Sequence, residues 1–194
     1  MSDEKRKLII DNNSLIDFFN YYYFDRDNKN KIYNDIKEFI FSKIKSNEII
    51  IIDKVFKEFK HIDFQDDLKD IKSKISPFIV NTDHLILEVE KLSKDYYIEY
   101  NERYINDKSQ IVAEMEYILN GADLYLIALC LEYKNEENLL PTVVTEESFN
   151  KRNYKKLVDK IPIICKKENI KCVRLPHSLF NIYKDELEFN LNIK

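Results

Sequence analysis

Four times along this chain a short apolar run or a turn hands over to a helical pattern through an acidic residue, and carboxylates so placed can hold a divalent cation. The first is Asp11, which ends the run Leu8-Ile9-Ile10. An acid that terminates a buried strand is partly stripped of water and needs a partner, most economically a cation. Asn13 follows two residues later, where it can cap a helix or hydrogen-bond beside Asp11. The second is Glu58, in Val55-Phe56-Lys57-Glu58-Phe59 after the run Ile49–Ile52, with Asp53 placed to cap that short helix. The third is Asp123, in Gly121-Ala122-Asp123-Leu124. Gly121 is the one glycine in 194 residues, which implies a tight turn or a close approach of the backbone. The fourth region is Thr142-Val143-Val144-Thr145-Glu146-Glu147, a strand that ends on a hydroxyl and then two carboxylates.

Each acid alone has an ordinary structural role. Asp11 could open a turn, and Glu58 could sit on a solvated helix face. Asp123, Glu146 and Glu147 could be first-turn acids favoured by the helix dipole. Asp123 stands out among them, because the helix it begins is otherwise almost wholly apolar. Their recurrence at one kind of place says more than any of them. Carboxylates set at strand ends and adjacent helices can converge on one pocket. All-oxygen ligands suit Mg²⁺ or Mn²⁺ rather than zinc, and a cation held this way can activate water against a phosphodiester.

The elements that must position these acids read as an α/β fold, with short apolar runs between longer helical periodicities. Strands are expected at Leu8–Asp11, Ile49–Asp53, Thr142–Thr145 and Lys171–Leu175, with a weaker one at Phe78–Val80. All are short and rich in β-branched residues, as buried parallel strands are. Helical faces are formed by Leu15, Phe18, Phe19, Tyr22 and Tyr23, and by Ile32, Ile36, Phe39, Ile40 and Ile44. Leu85, Val89, Leu92 and Tyr96 form another, and Ile111, Met115, Ile118 and Leu119 a fourth. Ala122–Leu131 is apolar on nearly all sides and predicts a buried helix. Pro162 and Pro176 fall where helices begin. Asp25–Lys31 is the most polar loop. The expected architecture is a three-layer α/β/α sandwich around a mainly parallel, twisted sheet of four to five strands, in one domain over residues 1–194.

Composition narrows the function classes. The net charge is −4, whereas a protein that binds nucleic acid by neutralising phosphates is usually basic. That counts against a broad nucleic-acid-binding surface but not against phosphate contact through a bound cation. Lys151, Arg152, Lys155 and Lys156 form a basic cluster that could hold phosphates, although a lysine-rich helix face is usually just solvated. Cys130, Cys165 and Cys172 lack the spacing of a disulfide framework or zinc site. His61, His84 and His177 share no ligand spacing. The run Leu8–Ile10 is too short for a signal peptide, and no stretch approaches the roughly 18 apolar residues of a membrane span. A soluble, cytoplasmic protein is expected.

Taken together, Asp11 with Asn13, Glu58 in Val-Phe-Lys-Glu-Phe, Asp123 after Gly-Ala, and Thr145 with Glu147 resemble the ordered motifs of a PIN domain. Lys160-Ile161-Pro162-Ile163-Ile164-Cys165 is similar to the closing segment of a bacterial subgroup with an Ile-Pro-x-x-Cys signature. The resemblance spans roughly residues 8 to 180. The fourth acid of the family is commonly Asp, and here Glu146 stands beside Glu147. The resemblance implies a parallel sheet flanked by helices, Mg²⁺ or Mn²⁺ dependence and endonucleolytic cleavage of RNA. It also implies, for many bacterial members, a toxin role with a small antitoxin partner, and homodimers are common in the family. On this reading Asp11 and Asp123 bind metal directly, with Glu58 and Glu147 completing the cluster or acting through water. Asn13, Thr145 and Glu146 then orient ligands. Two rivals are a PIN fold that serves only as a binding module, and a receiver-like phosphoacceptor domain. The latter needs paired early acids and a late strand-end lysine, which Asp11-Asn12 and Arg174-Leu175 do not supply.

Overall fold

A computed structural model describes residues 5–21, 31–60, 65–104, 107–136, 139–148, 156–175, 181–184 and 186. Four strands form one parallel sheet: β1 (Lys5–Ile10), β2 (Ile49–Ile50), β3 (Leu139–Val144) and β4 (Lys171–Val173), in the order β2-β1-β3-β4. Parallel neighbours need long crossovers, and helices supply them here. Helices α1 (Asn12–Tyr21) and α2 (Lys31–Lys45) lie between β1 and β2. Then come α3 (Asp53–Glu58), α4 (Gln65–Ile75), α5 (Ile86–Asp95), α6 (Lys108–Asn120) and α7 (Ala122–Lys134), before α8 (Ile161–Lys167) connects β3 to β4. The expected α/β/α arrangement is present.

The strand sequences explain their position. Leu8, Ile9 and Ile10 are buried, as are Ile49 to Ile52, and Val143 and Val144. Such runs are apolar on both faces because helices cover both faces of the sheet. Helix α7 is buried from Leu124 through Cys130, matching its all-round apolar sequence. It packs on β3 and α5.

Some boundaries differ from expectation. The second strand is two residues long, and the weak strand at Phe78–Val80 reduces to a single parallel bridge, Ile52 to Val80. Pro77 opens a 3₁₀ turn at Ser76–Phe78, and only Val80 reaches the sheet edge, through Asp53 N–H to Val80 O and Val80 N–H to Ile51 O. Helix α4 was not anticipated: charged residues surround its Leu68, Ile71 and Ile75, of which Ile71 and Ile75 are buried. The fourth strand stops at Val173, two residues early. Pro162 does stand in the first turn of α8. Tyr22, Tyr23 and Pro176 lie outside the described residues.

One topological feature places the site. From β1 the chain crosses to β2 on one side, and it later returns to β3 on the other. The helices that follow β1 and β3 therefore depart in opposite directions, leaving a crevice outside the strand ends. Open α/β sheets bind ligands at such switch points.

Candidate active site

Asp11 stands at that crevice. Its N–H extends the ladder to Val144 O at 2.9 Å, and its C=O accepts the N–H of Leu15 at 2.9 Å, so it joins strand to helix rigidly. It is 4% exposed. Across the crevice Thr145 leaves β3, its own N–H held by Val173 O. The Thr145 hydroxyl donates to Asp11 Oδ2 at 3.0 Å and accepts the N–H of Glu147 at 3.2 Å. Because the Glu147 N–H takes the hydroxyl's acceptor side, the hydroxyl proton is left to point at Asp11.

The other acids arrive from helix ends. Glu58 Oε1 accepts the N–H of Ala122 at 3.2 Å, so a carboxylate at the end of α3 satisfies a free donor at the start of α7. Gly121 permits this corner. Its φ of −74° is open to any residue, but a Cβ there would stand 3.0 Å from Tyr117 O. A side chain there would press on that α6 carbonyl, a contact glycine avoids, and the corner brings Asp123 in the first turn of α7 to the crevice. Glu147 Oε2 accepts the N–H of Ile161 at the start of α8, at 3.1 Å.

Asp11, Glu58, Asp123 and Glu147 all line one cavity of about 250 Å³, together with Asn12, Asn13 and Lys156. The alternation of an extended chain separates the two glutamates. Glu146 turns instead to the Leu175 N–H (2.8 Å) and the Ser14 hydroxyl (3.5 Å). It fastens β4 and α1 to the end of β3. Asp53, expected as a helix cap, lies inside the first turn of α3 with Ile52 at the cap position.

Lys156 departs furthest from the position its sequence neighbours suggest. Read from them as part of a solvated or phosphate-holding helix face, it lies in a non-helical stretch with its side chain inside the cavity. Its Nζ is 3.1 Å from Glu147 Oε1 and 3.4 Å from Asp123 Oδ2. The legible signal was its position just before Leu157 and Val158, both buried. Lys151, Arg152 and Lys155 lie outside the described residues. Tyr117 and Asp159 also line the cavity and were not anticipated.

The electrostatics follow from crowding acids in a concave, half-dry place. Burial pushes the Asp11 carboxyl up to about 7; the negative charge of Asp123 adds to this, and the Thr145 and Asn12 hydrogen bonds only partly offset it. Asp123 keeps half its side-chain surface open to the cavity yet is surrounded by protein. Burial raises it, Lys156 opposes, and Glu147 adds repulsion. Glu58 is raised by burial, with the Ala122 N–H pulling the other way. Burial pulls the Lys156 ammonium down, but Asp123 and Glu147 outweigh it and hold the ammonium above its usual range.

The cavity fits a hard cation in kind. Its donors are carboxylate oxygens, and Asn12 Oδ1 is a buried acceptor with no partner among the described residues. A buried, unsatisfied acceptor lacks a donor or an ion. As placed, no three of the described His, Cys, Asp and Glu residues converge tightly enough to grip an ion by themselves. Lys156 stands between two of the acids instead.

Fold and cavity thus define an α/β protein with a carboxylate site at its topological switch point. The chain belongs to the family described as "Domain of unknown function (DUF4411)", whose model matches residues 8–181, from within β1 to beyond β4. Comparison with curated proteins finds no match, and comparison with solved structures finds none.

Proposed function

We propose that this protein is a Mg²⁺- or Mn²⁺-dependent endoribonuclease of PIN-domain type, working in the cytoplasm as the toxin of a toxin–antitoxin pair. The observation that carries the activity is the meeting of Asp11, Asp123, Glu147 and Glu58 in one cavity at the switch point. The biological role rests on the motif resemblance. The net charge of −4 fits a substrate phosphate reached through a cation rather than through a basic surface. Among the described residues no helix is long and apolar enough to cross a membrane.

The chain's own residues divide the work. Asp11 and Asp123 would hold the ion, Asp11 aimed by the Thr145 hydroxyl and Asp123 brought in by the Gly121 corner. Glu147, its Oε2 fixed by Ile161 N–H, would join them. Glu58, tied to Ala122, would complete the cluster or act through water. Bound divalent metal supplies an activated water and charge stabilisation for phosphodiester hydrolysis, so no protein nucleophile is needed.

The test is cleavage of a pool of single-stranded RNA oligonucleotides by the purified chain in Mn²⁺ and in chelator. Cleavage should require the metal and fall by about 100-fold or more in Asp123→Asn, since losing even an outer support of a metal ligand costs 10- to 100-fold. Metal-independent cleavage, or an undiminished rate in Asp123→Asn, would end the proposal.

A further inference from the structure

We propose that Lys156 is a built-in counter-ion of the acid cavity that a divalent cation must displace, making metal entry and release of the Lys156 side chain one coupled event. This rests on the metal-dependent reading above and assigns that site its means of standing empty.

The geometry puts one ammonium where an ion would go. Lys156 Nζ touches Asp123 Oδ2 and Glu147 Oε1 together, and its side chain is only 33% exposed. Asp11 faces two further negative charges, from Asp123 and Glu147. A metal-free cavity with this many carboxylates would repel itself; one lysine relieves two of them. An ammonium and a divalent ion on the same two oxygens would repel at contact distance, so each weakens the hold on the other.

The surroundings make displacement a side-chain event. The main chain of Lys156 is pinned, since Asn101 Nδ2 donates to Lys156 O at 2.6 Å and Ile98 N–H donates to Leu157 O at 2.7 Å. Glu147 keeps its bond from Ile161 N–H through Oε2, so only Oε1 has to change partner. A lysine suits this exchange because it is a compact point charge on a flexible four-carbon stem, without the planar fork that would lock an arginine in place. Asn12 is among the residues that line this cavity, and its Oδ1 is buried without a partner among the described residues.

The experiment is calorimetric titration of Mn²⁺ into the metal-free full chain, its Lys156→Met variant, and Lys134→Met as a charge control. Lys134 ends α7, seven residues beyond Ile127, the last residue of that helix to line the cavity, and it donates to Glu168 O. Lys156→Met should bind Mn²⁺ roughly tenfold tighter, or more, with the control near wild type. In chelator Lys156→Met should melt below wild type, and saturating Mn²⁺ should close that gap. An affinity in Lys156→Met equal to or weaker than wild type overturns the inference while leaving the metal reading intact. Absence of Mn²⁺ binding by wild type overturns both. If Lys156→Met and Lys156→Gln both fail to fold, acylation of Lys156 in the wild-type chain decides. Mass spectrometry should show its labelling rise on adding Mn²⁺; unchanged labelling overturns the inference.

Discussion

Asp11 and Asp53 are the same local device with opposite surroundings. Each follows a buried apolar run at the end of a parallel strand, each lies where a helix begins, and each accepts a threonine hydroxyl: Thr145 at 3.0 Å for Asp11, Thr82 at 2.6 Å for Asp53. Around Asp53 stand Lys57 at 3.0 Å and Lys54 at 3.8 Å. Burial pushes Asp53 up, but the Thr82 bond and both lysines outweigh it and hold it below the ordinary carboxylate range. Around Asp11 stand further acids, and it is driven up to about 7. Asp53 fastens α3 to the Thr82 turn. Asp11 is an acid with its charge unanswered. A strand-end aspartate is therefore no site in itself; the sign of its neighbours decides.

The largest expected effect that tests this contrast is on RNA cleavage. Asp11→Asn, measured in Mn²⁺, should lose about 100-fold or more in rate, because it removes a ligand charge while keeping an acceptor for Thr145. Asp53→Asn should stay within about threefold of wild type. Stability should move the other way. In chelator above neutral pH, Asp11→Asn should raise the unfolding free energy, since it deletes an unanswered buried charge. Asp53→Asn should lower it by about 1–3 kcal/mol, the worth of hydrogen bonds to a charged group. Denaturant titration of the two variants checks both signs.

A smaller effect lies in the pH dependence. Asp11 ionises at the ordinary 3.8 when unfolded and at about 7 when folded and metal-free. Between those values the native state holds a proton that the unfolded chain has released, so native stability falls as pH rises through that window. The wild-type curve minus the Asp11→Asn curve should carry this slope. Asp53, held low in the fold, contributes the reverse: its stabilisation is lost as pH falls below the ordinary carboxylate value. A flat difference curve for Asp11 would remove the contrast.

Much of this was legible in the sequence, for physical reasons. Buried parallel strands must be apolar on both faces, so Leu8–Ile10 and Ile49–Ile52 announced themselves. A lone glycine before an all-apolar helix announced the corner at Gly121, and with it Asp123. The alternation of an extended chain says that Glu146 and Glu147 diverge, but not which one faces the crevice. That depends on Ser14 and Leu175 taking one and Ile161 the other. Helix α4 was hidden because few apolar residues break its run of charges. Lys156 was hidden for a deeper reason: its partners lie 9 and 33 residues away. Only the fold brings them together.

The central claim is that the Asp11 cavity, and not its look-alike at Asp53, holds a divalent ion. Crystals grown with Mn²⁺ and measured for anomalous scattering test it most directly. Anomalous density is expected within coordination distance of Asp11, Asp123 and Glu147, with the Lys156 side chain moved out of the cavity. Density at Asp53, or a cavity in which Lys156 still bridges Asp123 and Glu147 at saturating Mn²⁺, would contradict it.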